Sequence, residues 1–172
     1  MIKNLLNILV SFTVFVALQV LVLNDIHLFH LATPFLYLYI ILKIPLGLTR
    51  VQVLWVAFLT GVTIDIFSNT LGMHAASCTF IGLIRRPLLT ALVDRDIIED
   101  ATPSYASLGA GSFMKYTLGV VFIHHLTLFL IESISLFDPL YLLLRILSSV
   151  ALTTLCVFIV ETFNPGGRSG ES

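Results

Sequence analysis

The chain has 172 residues, of which 58% are hydrophobic and 11% charged, with a formal net charge of −1 and a mean hydropathy of +1.02. Soluble domains are nearer one-quarter charged, and a folded domain of this size still exposes about a third of its unfolded surface, so the composition excludes an ordinary soluble protein. The nine Lys and Arg residues form no basic cluster with interleaved aromatics, which leaves nucleic-acid binding without support.

A membrane-spanning helix needs about 20 mostly apolar residues. Residues 5–23 qualify and follow Lys3. The run is longer than a signal-peptide core, and Asn24-Asp25-Ile26-His27 follows it in place of a small-residue cleavage site, so a retained anchor is expected. Thr33-Pro34 supplies a cap and a first-turn proline for a second span over 33–48, in which the Lys43 stem can snorkel to the surface. Residues 51–67 form a third span. A fourth, over 71–84, is short and ends at Arg85-Arg86-Pro87. The fifth and sixth cover 113–133 and 140–163. The expectation is one all-α domain over 1–164 with six transmembrane helices.

The longest connection, 85–112, mixes an apolar PLLTALV that could lie on the membrane surface, acidic Asp94, Asp96, Glu99 and Asp100, and a small-residue linker ATPSYASLGAGS. The tail over 165–172 reads as disordered. With a cytoplasmic N-terminus, Lys3, Lys43, Arg50, Arg85, Arg86, Arg95, Lys115 and Arg168 fall inside and Arg145 alone falls outside. The positive-inside rule therefore gives N-in, C-in, which for a bacterium means the inner membrane. Cys78 and Cys156 sit in apolar runs without a CxxC and read as small core residues.

The polar residues inside the spans raise the functional question. Gly61, Asp65 and Asn69 are spaced by four and share a helix face, and Gly61 allows close approach of a neighbour. Asp65 falls roughly 20 Å from the inner end of its helix, in the outer part of the bilayer. His74, Glu132 and Arg145 lie at a similar outer level. Buried ionisable groups in a membrane pair, face a wet cavity or lie near an interface. Two readings stay open: an ion or substrate site built by Asp65, His74, Glu132 and Arg145, or a structural polar cluster that fixes helix packing and the turn between the third and fourth helices.

In HHLTLFLIE, His125 and Glu132 are seven apart on one face and His124 points elsewhere. Neither a His pair at i,i+4 nor HExxH is present, so no metal site is expected and hydrogen bonding between helices is the simpler role for the histidines. There is no phosphate loop, no nucleophile elbow and no paired-carboxylate motif, so neither catalytic residues nor a cofactor is expected.

The segments TPFLYLYIILKIPLGLTR and FLTGVTIDIFSNTLGMHA, in a small six-span chain, resemble the MreD family of bacterial rod shape-determining membrane proteins. The residues that carry the resemblance are Pro34, Gly61, Asp65, Leu71 and Gly72; RRPLL and HHLTLFLIE resemble the Bacteroidetes branch. The resemblance implies a non-enzymatic scaffold of the elongation machinery that makes lateral peptidoglycan. Its partners would be MreC and, through it, MreB, RodA and a class B penicillin-binding transpeptidase. It also implies a fold like the vitamin-binding S components of energy-coupling-factor transporters. The long acidic loop departs from proteobacterial members. That fold likeness motivates an alternative, a subunit of a transporter that binds a small vitamin-like molecule. A third reading is a membrane enzyme with Asp65 and His74 as acid–base partners.

Overall fold

A computed structural model describes residues 2–24, 31–93, 101–133 and 138–163. His27, the acidic residues at 94, 96, 99 and 100, Arg95, Arg168 and the 165–172 tail lie outside the described residues. Among those described, the chain is helical with no β-strand: α1 (Ile2–Leu18, continued by a wider π-helical turn over Gln19–Leu23), α2 (Leu38–Leu42), α3 (Arg50–Ser68), α4 (Met73–Leu92), α5 (Tyr105–Leu108), α6 (Ala110–Glu132) and α7 (Pro139–Phe163). Five helices are long and apolar enough to cross a membrane: α1, α3, α4, α6 and α7. Their outward residues, among them Leu21, Trp55, Ile66, Leu83, Leu143 and Leu155, are exposed and apolar, as lipid-facing positions require. This is a membrane protein.

The expected second span differs from a spanning helix. Between residues 33 and 48 only Leu38–Leu42 is α-helical. The stretch from Ala32 to Leu42 is buried throughout, with Ile44 and Leu46 buried beyond it, and it forms the centre of the core. It runs down the inside of the bundle as a plug. Thr33 meets Ser149, Phe35 meets Thr153, and Tyr39 and Lys43 meet Glu161, all on α7. From residue 149 to residue 161 at 1.5 Å per residue is about 18 Å of descent.

Irregular backbone survives at membrane depth only where the protein itself satisfies its polar groups. Polar side chains of the helices do that here. The Gln19 amide oxygen accepts from the Leu36 N–H at 2.8 Å while its NH2 donates to the Pro34 carbonyl at 3.0 Å. Ser149 and Thr153 hydroxyls accept from the N–H groups of Thr33 and Phe35, each at 3.0 Å. Arg85 donates to the Ile44 carbonyl at 2.6 Å.

That last bond explains a second difference. Arg85-Arg86-Pro87 reads as a helix stop, yet α4 continues to Leu92 with Pro87 inside it. Arg85 turns inward to serve the plug and the Tyr116 hydroxyl, and Pro87 lies on the exposed side. The PLLTALV stretch is therefore the last turns of α4 and not a surface segment. Further on, Ser104 caps the one-turn α5, and Gly109 at φ 75° redirects the chain into α6. Ala101 and Tyr105 fasten this segment to the end of the plug and to α7.

Candidate functional site

At one end of the bundle, α3 and α4 form the tightest helix contact. A Cβ on Gly61 would overlap Ala75 Cα and the His74 carbonyl oxygen, so only glycine permits this approach. The approach brings Asp65 to the start of α4. Its carboxylate accepts the backbone N–H of His74 at 3.1 Å and of Ala75 at 2.8 Å, and the Thr70 hydroxyl donates to it as well. The first N–H groups of a helix lack intrahelical acceptors, and the helix dipole favours an anion there. Asp65 is thus the N-terminal cap of α4, supplied by the preceding helix. Asn69 ends α3 in the left-handed conformation at φ 53°, with its N–H on the Asp65 carbonyl. Its side chain is therefore not on the Gly61–Asp65 face; it is exposed. Gly72 at φ 78° makes the turn into α4.

His74 is buried one residue into α4. Its Nδ1 lies 2.7 Å from the Tyr37 hydroxyl, which lies 3.0 Å from His124 Nε2. Tyr37, at the heart of the plug, joins two imidazoles on α4 and α6. Cys78 Sγ is 3.9 Å from the same His124 nitrogen. His125 is also buried, with Nδ1 at 2.8 Å from the Val121 carbonyl and Nε2 at 3.2 Å from the Thr153 hydroxyl. Phe35 packs against all three histidines. His125 thus ties α6 to Thr153 on α7, and Glu132, at the end of α6, pairs with Arg145.

Glu132 pairs with Arg145 at 3.0 Å, with side chains 39% and 23% exposed, and the Arg145 guanidinium lies 4.2 Å above the Phe129 ring. These two residues and His74 line a cavity of about 360 Å³. Its other polar walls are Asn24, Thr33, Ser68 and Thr70, and its apolar walls include Phe35, Phe67 and Leu128. Of the four ionisable residues singled out in the sequence, His74, Glu132 and Arg145 thus share a cavity. Asp65 stands behind the wall and is occupied in capping α4.

The acid–base pairing of Asp65 with His74 is not what the geometry provides. The Asp65 carboxylate meets the His74 backbone N–H, and the imidazole Nδ1 faces Tyr37. Among the described residues, no three His, Cys, Asp or Glu side chains group to hold a metal ion.

A second polar cluster, at the opposite end, escaped the sequence reading. Glu161 on α7 is fully buried and accepts from the Tyr39 hydroxyl at 2.6 Å, from Lys43 at 3.0 Å on both oxygens, and from the Tyr105 N–H at 3.1 Å. Lys43 does not snorkel outward. It turns into this carboxylate, between the Tyr39 and Phe113 rings. The only sequence signal was a lone acid near the end of an apolar run, facing a lone lysine in another.

Comparison with protein-family models, curated proteins and solved structures finds no match.

Proposed function

We propose that this chain is a non-enzymatic membrane scaffold of the bacterial cell-elongation machinery, of the MreD type. It would sit in the inner membrane and hold MreC, and through it MreB, RodA and a class B penicillin-binding transpeptidase. The observation that carries the reading is the architectural use of the residues behind the resemblance. Gly61 and Asp65 lock α3 to the start of α4, Gly72 makes the turn between them, and Pro34 enters the plug. None of these four lines the cavity. Leu71, the fifth, stands fully exposed beside the exposed Gly72 at the tip of the turn.

In this reading the buried plug is the second of six crossings, the only one not made by a long helix. The N-in, C-in orientation is supported by charge. Lys43 and Arg85 gather at the Glu161 end of the bundle, while Arg145 lies sixteen residues earlier on α7, about 24 Å away. Depletion in the host should round the cells, and MreC should co-purify with the protein. Normal cell shape without MreC association sinks the reading.

One observation favours a second reading, a subunit that binds a small vitamin-like molecule for a transporter of the energy-coupling-factor type. Ligand sites occupy about 300–1,000 Å³ and combine apolar walls with a few placed polar groups. The cavity of about 360 Å³ beside His74, Glu132 and Arg145 fits that description. Thermal-shift screening against vitamins and related small molecules tests it. The absence of any ligand, in a protein that still supports cell shape, discards it.

A further inference from the structure

At the Glu161 end, a cleft between the start of α3 and the second half of α4 is lined by Arg50, Arg85 and Arg86, with Leu54, Gly82 and Leu83 among its apolar walls. Arg50 and Arg86 are exposed. Arg85 is only 3% exposed, and its hydrogen bonds go to neutral oxygens, the Ile44 carbonyl and the Tyr116 hydroxyl. The ion pairs of the described residues are Lys43–Glu161 and Arg145–Glu132, so none of these three arginines has a carboxylate partner among them. A buried guanidinium without a counter-charge is costly, and two further positive charges nearby raise that cost.

We propose that this cleft binds the phosphate of an anionic phospholipid, which supplies a negative charge that none of the described residues brings to it. Guanidinium groups match phosphate oxygens in geometry as well as in charge. Basic pockets between transmembrane helices on the cytoplasmic side are a recurrent form of lipid-headgroup site. The cavity measures about 40 Å³. One water takes about 10–15 Å³ by that measure, so the space is the size of a phosphate group and too small for a peptide. Leu83 lines the cleft and is itself exposed, which leaves an apolar way out for acyl chains along α4. The inference rests on the chain spanning a membrane with its Glu161 end on the cytoplasmic side; it is independent of the scaffold and transporter readings.

The test uses the full chain in detergent, with phosphatidylglycerol, phosphatidylcholine or glycerol 3-phosphate added, and reads thermal midpoint and bound lipid by native mass spectrometry. Phosphatidylglycerol should bind and raise the midpoint more than phosphatidylcholine, and glycerol 3-phosphate should not reproduce the effect. The double variant Arg50→Gln/Arg86→Gln removes only exposed side chains and should bind phosphatidylglycerol about 30-fold more weakly. Equal effects of the two lipids overturn the proposal, as does unchanged affinity in the double variant. A glycerol 3-phosphate effect equal to that of phosphatidylglycerol also overturns it. If the double variant fails to fold, the comparison of the two lipids on the wild type still decides.

Discussion

The two ends of the bundle each carry one ion pair to α7, and the pairs differ in almost everything else. Lys43–Glu161 is closed, with side-chain exposures of 11% and 0%, and the carboxylate is further held by Tyr39 and Tyr105. Glu132–Arg145 is open at 39% and 23%, beside a cavity. Removing one partner of a buried pair leaves an unsolvated charge and costs about 3–5 kcal/mol, whereas an exposed pair is worth about 0–1 kcal/mol. The same chemistry therefore serves as a lock at one end and as an exchangeable polar surface at the other.

Four substitutions test that contrast. Lys43→Met should have the largest effect, a loss of about 3–5 kcal/mol in denaturant unfolding of the purified protein, because Glu161 keeps its charge without its cation. A cost no greater than that of Arg145→Gln breaks the comparison. Gly61→Ala should cost about 3 kcal/mol, the upper end for overpacking, since the obstacle is the backbone of α4 and not a movable side chain. Asp65→Asn should cost about 2 kcal/mol and lower the amount of protein in the membrane, because a neutral amide oxygen cannot cap both His74 and Ala75 as the carboxylate does. Arg145→Gln should change stability by less than about 1 kcal/mol. A large loss of stability there would make the open end a second lock, while a loss of partner or ligand binding at unchanged stability would sharpen its role as a working surface.

The five long helices were legible because each is an apolar run of spanning length. The Gly61–Asp65 pairing was legible from spacing alone, since positions four apart share a face. The plug was not. A segment buried on every side shows no periodicity, so residues 33–48 look the same whether helical or irregular. What decides its shape is the set of acceptors and donors on Gln19, Arg85, Ser149 and Thr153, which are far away in the chain. Hydrogen bonding by the His124-His125 pair was legible, but its partner Tyr37 was missed for the same reason: a tyrosine in an apolar run gives no sign that two histidines will meet its hydroxyl. Arg85 misled because a basic pair before proline usually marks a helix end, and here one of its members points inward to a carbonyl.

The plug also constrains how the protein can be made. The hydroxyls that accept from Thr33 and Phe35 lie 116 and 118 residues later in the chain. Until α7 has been synthesised and inserted, those two N–H groups have no such partners, and exposing them to lipid would cost several kcal/mol each. The early half of the chain thus cannot mature step by step as it leaves the ribosome. It must wait, as a provisional helix or sheltered by the insertion machinery, until the last helix arrives. A chain truncated before Pro139 would lose those acceptors and, with Glu161, the anchor for Lys43. Such a fragment should be recognised by membrane quality control as unfinished.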